Sequence, residues 1–291
     1  MRKLKYAGIQ MSCSDSVQEN IEKAERLVRE AAKNGAKVIL LPELFENRYF
    51  CQERNYDYYA LAKTVQENDA VSHFKKIARE LEVVLPISFY EKDGNVFYNS
   101  VAMIDADGTV LGVYRKTHIP DDHFYQEKFY FTPGNTGFKT WDTRYGKIGV
   151  GICWDQWFPE TARGMVVQGA ELLLYPTAIG SEPILECDSM PHWRRCMQGH
   201  AACNIVPVLA ANRYGVETVI PSAANAGQKS SLDFYGSSFV TDETGEVIYQ
   251  ASRDQEEIVY GESDLDAVAE MRNSWGLFRD RRPEIYRGID R

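Results

Sequence analysis

A chain of 291 residues, 44% hydrophobic and 26% charged, holds enough apolar material for one large layered domain or two average ones. A net charge of −9 argues against nucleic acid and anionic membrane as partners, and no apolar run approaches the ~18 residues of a membrane span. Six cysteines without a CxxC pair, and an N-terminal stretch without a long apolar signal core, point to free thiols and an expected cytoplasmic location.

KYAGIQM reads as an opening strand, and residues 17–33 place Val17, Ile21, Ala24, Leu27, Val28 and Ala31 on one helical face, with Gly35 as a stop. KVILLPE is a buried strand ending at Pro42. Residues 69–82 are helical again. VVLPISFYE, VFYNSVAMID and TVLGVYRK then predict three strands, the last two joined through an Asp107-Gly108 turn. KIGVGIC is a further strand, followed by a helix from Pro159 to Val167 with Gly169 as its stop, and by the strand ELLLYPTA. A helix over residues 191–204, the strand VPVLAAN and the hairpin FYGSSFVTDETGEVIYQ come next. Residues 214–232, rich in Ser, Ala, Asn and Gly, are expected to form a long surface loop. Strand–helix alternation with paired strands, and no linker or repeat, predicts one α/β layered domain over residues 1–291.

Three strand ends carry chemistry. Gly149 and Gly151 thin the strand before Cys153, while Pro159 and Glu160 behind it suit a helix start. The thiol is therefore expected near unpaired backbone N–H groups that favour a thiolate or oxyanion. On the residues alone it is either a small core residue or a nucleophile. Glu43 follows one buried strand and Lys116 another, and each taken singly reads as a solvated loop charge. Together they place carboxylate, ammonium and thiol at the ends of three apolar strands, as in a site built on a rigid sheet.

PELFENRYFCQ, YRKTHIPDDHFYQEKFYFTPG, GICWDQWFPE, YPTAIGSEP and HWRRCMQGHAACN resemble motifs of the nitrilase (carbon–nitrogen hydrolase) superfamily. The likeness covers nearly the whole chain and is strongest to the N-carbamoylputrescine amidohydrolase branch. It implies a four-layer α-β-β-α sandwich with a Glu43–Lys116–Cys153 triad at the sheet ends and no cofactor. It further implies that Cys153 attacks a ureido carbon and that Glu43 moves the protons. Lys116 and the backbone N–H of Trp154 would hold the oxyanion, and Glu127 would position the lysine. A homo-oligomer, a dimer or larger, is expected from the same likeness.

For the substrate, a small cationic carbamoylated amine is expected. By the same resemblance Glu182 would take its far ammonium and Tyr49 and Tyr125 would wall the aliphatic stretch, with Asp121 as a second carboxylate in the pocket loops. Arg194 and Arg195 leave open a carboxylate-bearing substrate, such as an N-carbamoyl amino acid or β-ureidopropionate. A different class of function, zinc binding, would use His192, Cys196 and His200, which repeat at four-residue spacing along one helix face.

Overall fold

The computed structural model describes residues 1–181 and 187–288. Its first half runs β1 (Lys3–Gln10), α1 (Val17–Lys33), β2 (Val38–Leu40), α2 (Asp69–Leu81), β3 (Leu85–Asp93), β4 (Val96–Ile104) and β5 (Val110–Arg115). Next come β6 (Thr140–Thr143), β7 (Gly146–Val150), α3 (Pro159–Val167), β8 (Leu172–Pro176), β9 (Gly180–Ser181), α4 (Met190–Asn204) and β10 (Val208–Ala211). The last part holds β11 (Tyr214–Val219), β12 (Ser230–Tyr235), β13 (Phe239–Thr241), β14 (Val247–Gln250), β15 (Glu257–Asp264) and α5 (Leu265–Trp275).

Strands of period two with both faces apolar need cover on both sides, and that requirement sets the layers. Strands β15, β1 and β2 continue into β3, β4 and β5, because Val84 accepts the Ile39 N–H and donates its own to the Lys37 carbonyl across the β2–β3 seam. A second sheet runs β14-β13-β10-β8-β7-β6. Leu4 and Tyr6 of β1 face Leu172 and Leu174 of β8 in a core shared by the two sheets. Ala7 and Ile9 turn outward onto α1 and α2, and Leu173 and Tyr175 turn outward onto α3 and α4. The result is the expected α-β-β-α sandwich.

Helix α1 illustrates the local logic. Ile21, Ala24, Leu27, Val28 and Ala31 are buried along one stripe, and Ser16 caps the first turn by accepting the Glu19 N–H. Gly149 and Gly151 are required by packing. A Cβ on Gly151 would lie 2.8 Å from the Tyr175 ring, and one on Gly149 would lie 2.9 Å from the Met165 sulfur.

One expectation is corrected. Residues 214–232 are not a single loop, since β11 pairs antiparallel with β12 from Tyr214↔Tyr235 to Val219↔Ser230. On β11 the inward positions are Glu217 and Val219, so a buried carboxylate masks the alternation that marks a strand. Strands β6, β9 and β15 and helix α5 had no counterpart in the sequence reading. Among the described residues, no helix is long and apolar enough to cross a membrane.

Candidate active site

Glu43, Lys116 and Cys153 each sit just beyond a strand, where the chain leaves the ladder and a side chain can turn into the space between the sheets. Glu43 follows β2, and its N–H donates to the Thr177 carbonyl beyond β8 at 3.3 Å. The next residue, Leu44, has φ +49° and is tied by its N–H to Ser88 Oγ at 2.9 Å. Lys116 follows β5 and donates its N–H to the Asn99 carbonyl at 2.8 Å. Cys153 opens a 3₁₀ helix (Cys153–Trp157) beyond β7 with φ +41°, a left-handed conformation that a non-glycine residue adopts only under constraint. Asp155 supplies part of that constraint. Its carboxylate accepts the Ile152 N–H, the Tyr114 hydroxyl and the His118 N–H, tying the cysteine turn to the segment after Lys116.

The side chains meet in a dry ionic cluster. Glu43, Lys116 and Glu127 have no solvent exposure, and Cys153 is 6% exposed. Lys116 Nζ donates to Glu43 Oε1 at 2.8 Å and to Glu127 Oε2 and Oε1 at 2.7 and 2.9 Å. Asn99 Nδ2 donates to the same Glu43 Oε1 at 2.7 Å, and Glu43 Oε2 has no partner among the described residues. A carboxylate pinned through one oxygen and bare at the other can accept a proton without losing its hold.

Electrostatics follow from burial and from two carboxylates sharing one ammonium. Burial alone would push Lys116 down, but Glu127 and Glu43 overcome it and hold the ammonium well above a lysine's ordinary range. Burial pushes Glu127 up to about 7 against the pull of Lys116, and the Glu43 charge adds to the rise. Burial, reinforced by Glu43, also pushes the Cys153 thiol well up, with Lys116 opposing. This corrects the expectation of a thiolate favoured by bare N–H groups. Burial therefore disfavours the thiolate, and a base is needed to draw the proton from the sulfur.

A cavity of about 270 Å³ opens onto the cluster, lined among others by Cys153, Trp154, Trp157, Glu127, Tyr125 and Asp121. Cys187 and Ser189 also line it, and no lysine, arginine or histidine does so among the described residues. Trp154 is the second residue of the 3₁₀ helix, where a backbone N–H has no partner within the helix, so an oxyanion could be received there.

The family model for carbon-nitrogen hydrolases matches residues 5–273. The chain belongs to the carbon-nitrogen hydrolase family. It is 54% identical to a rice (Oryza sativa subsp. japonica) protein named N-carbamoylputrescine amidase, over 98% of this chain and 94% of that one. A Francisella tularensis protein named citrullinase is also 54% identical, over 100% and 99% of the two chains. A solved carbon-nitrogen hydrolase from Helicobacter pylori G27 superposes with a TM-score of 0.90 at 38% identity, covering 99% of each chain.

In this hydrolase Lys116 joins Glu43 and Glu127 in one ion-paired cluster, and Glu127, Cys153, Asp121, Tyr125 and Trp154 line the cavity. Tyr125 also receives the Gly180 N–H on its hydroxyl at 3.1 Å. Tyr49 is placed differently from expectation. It is buried outside that cavity's lining and donates its hydroxyl to Glu127 Oε1 at 2.6 Å, so it orients a carboxylate rather than walling a substrate. Glu182 lies outside the described residues. Arg194 donates to Gln250 at 2.7 Å, and neither it nor the exposed Arg195 lines the cavity.

The zinc reading does not assemble. His200 Nε2 bonds the Gln156 carbonyl at 2.6 Å, His192 stacks edge-on to Trp157, and no metal-holding cluster occurs among the described residues. Asn99 and Asp155 were not anticipated, although a buried Asn inside the apolar strand VFYNSVAMID is itself a signal that a polar partner must lie opposite.

Proposed function

We propose that this hydrolase cleaves N-carbamoylputrescine to putrescine, ammonia and carbon dioxide through a thioester on Cys153. The observation behind the reading is the buried cluster in which Lys116 bridges Glu43 and Glu127 while Glu43 Oε2 is left without a partner among the described residues, within electrostatic reach of the buried Cys153 thiol. Glu43 Oε2 takes the thiol proton as sulfur attacks the ureido carbon. Lys116 and the Trp154 N–H hold the oxyanion. The proton then passes to the departing nitrogen, and ammonia leaves. Water, activated by the same carboxylate, hydrolyses the thioester, and the released carbamate loses carbon dioxide.

The substrate class draws support from the 54% identity to a plant N-carbamoylputrescine amidase and from a cavity edged by Asp121 and Asp122 without a basic residue among those described. Such a lining suits an ammonium tail and has no partner for a carboxylate. A second reading, a ureido amino acid of the citrulline kind, rests on the relative named citrullinase. Ammonia release from carbamoylputrescine, citrulline and N-carbamoyl-β-alanine separates them. We expect the highest kcat/KM for carbamoylputrescine, and preference for either carboxylate-bearing compound overturns the substrate assignment.

A further inference from the structure

Arg213 and Glu217 form a buried ion pair that takes no part in the cavity of Cys153. The guanidinium is wholly buried, and its Nη1 stands 2.9 Å from Glu217 Oε1. Its remaining Nη donors go to one short piece of backbone, while Nε has no partner among the described residues. Nη2 donates to the Glu43 carbonyl at 2.7 Å and the Leu44 carbonyl at 3.2 Å, and Nη1 donates to the Asn47 carbonyl at 3.2 Å. That piece contains Leu44 in its left-handed conformation, so the turn carrying Glu43 is pinned where it is least relaxed. The other oxygen of Glu217 accepts the Tyr49 N–H at 2.6 Å. Tyr49 in turn reaches Glu127 through its hydroxyl. The guanidinium lies 5.8 Å from the Tyr49 ring centre and 5.4 Å from that of Phe234, so its plane is fixed as well.

We infer that Arg213 and Glu217 are positioning residues for the reaction, one ion pair that sets both carboxylates on Lys116. It sets Glu43 through that residue's own carbonyl and Glu127 through Tyr49. The inference rests on the reading of Glu43 as the base. Lys116 is divided between two carboxylates, and the division depends on where their backbones stand. If the Glu43 turn relaxes, the ammonium stays with Glu127 and the bare oxygen of Glu43 swings away from the thiol. Because neither residue lines the cavity, the loss falls on the chemical step and not on substrate binding.

The test compares Arg213→Lys and Glu217→Gln with wild type and Glu43→Gln, all on the carbamoylated amine that wild type turns over fastest. Lysine keeps the charge but cannot fork across three carbonyls and a carboxylate. Glutamine keeps the size of Glu217 and removes its charge. Rates are taken per folded active site, counted by Cys153 thioester formed in an acid quench. A misplacement of this kind costs about 10- to 100-fold in rate. We expect such a fall in kcat for each variant, KM close to wild type, and a displaced acid limb in the rate–pH profile. A lowered Tm with kcat per active site and pH profile unchanged overturns the inference, as does a raised KM with kcat intact. Should Arg213→Lys fail to fold, Glu217→Gln carries the same readouts. An active Glu43→Gln overturns the proposed base and this inference with it, whereas an inactive Glu43→Gln beside unimpaired Arg213 and Glu217 variants overturns only the inference.

Discussion

Lys116 Nζ stands 2.8 Å from Glu43 Oε1, the same oxygen that takes the Asn99 amide, and so the second oxygen of Glu43 is left bare. Glu43→Gln keeps the two donors' acceptor and the shape of the site but cannot take a proton. General-base contributions of this type are about 10²- to 10⁴-fold. Single-turnover ammonia release is expected to slow by that factor with little change in KM. A fall in affinity alone would assign Glu43 to binding.

Cys153→Ala is expected to abolish turnover, because no thioester can form, and to leave the melting temperature nearly unchanged. Cys187 lines the same cavity and is exposed, yet Cys187→Ser should stay close to wild type. Mass spectrometry of acid-quenched enzyme locates the acyl group, and an adduct on Cys187 would contradict the assignment.

Burial pushes the Glu127 carboxyl up to about 7. We expect kcat/KM to rise with pH on an acid limb near that value. Glu127→Gln removes that titrating group, so the limb near 7 should disappear while kcat falls. A limb that stays in place would exclude Glu127 from the titration.

Glu46 offers a stability test away from the chemistry. Burial raises its carboxyl from 4.5 to about 7, against the hydrogen bonds from Asn68. A folded-state value above the unfolded one means that the neutral form favours folding. That contribution is whole below about pH 4.5 and is lost as pH rises through about 7. A displacement of this size is worth roughly 3 kcal/mol. Melting curves from pH 5 to 8 should move in favour of Glu46→Gln relative to wild type, and parallel curves would refute the assignment.

Asp121 is exposed, so its pull on an ammonium tail is screened. An exposed pair is worth at most about 1 kcal/mol, which limits the rise in KM of Asp121→Asn to about fivefold. The rise should shrink in high salt. A salt-independent effect would mean that Asp121 is desolvated by the substrate.

The proposed triad of Glu43, Lys116 and Cys153 was legible because each residue follows an apolar run that ends abruptly, and a strand end is where a sheet presents a side chain. What stayed hidden was hidden for a physical reason. Tyr49 looks like any aromatic in a loop, and its bond to Glu127 spans 78 residues of sequence. Strand β11 escaped because its inward side carries Glu217, whose partner Arg213 lies one residue before the strand. Burial of such a pair reverses the polarity pattern from which strands are read.

Glu43 and Lys116 hang from one sheet and Cys153 from the other, so the proposed base and nucleophile are mounted on separate plates. Val101, Met103 and Tyr114 on one plate and Val150, Ile152 and Leu174 on the other act as the shim between them. Interiors packed to crystal-like density yield little, and a methylene removed there is felt as a small tilt or approach of the plates. Proton transfer is steep in distance, whereas the cavity walls around the substrate tail are not. The pace of the reaction can therefore be adjusted by side chains that never meet the substrate, with affinity left where it was.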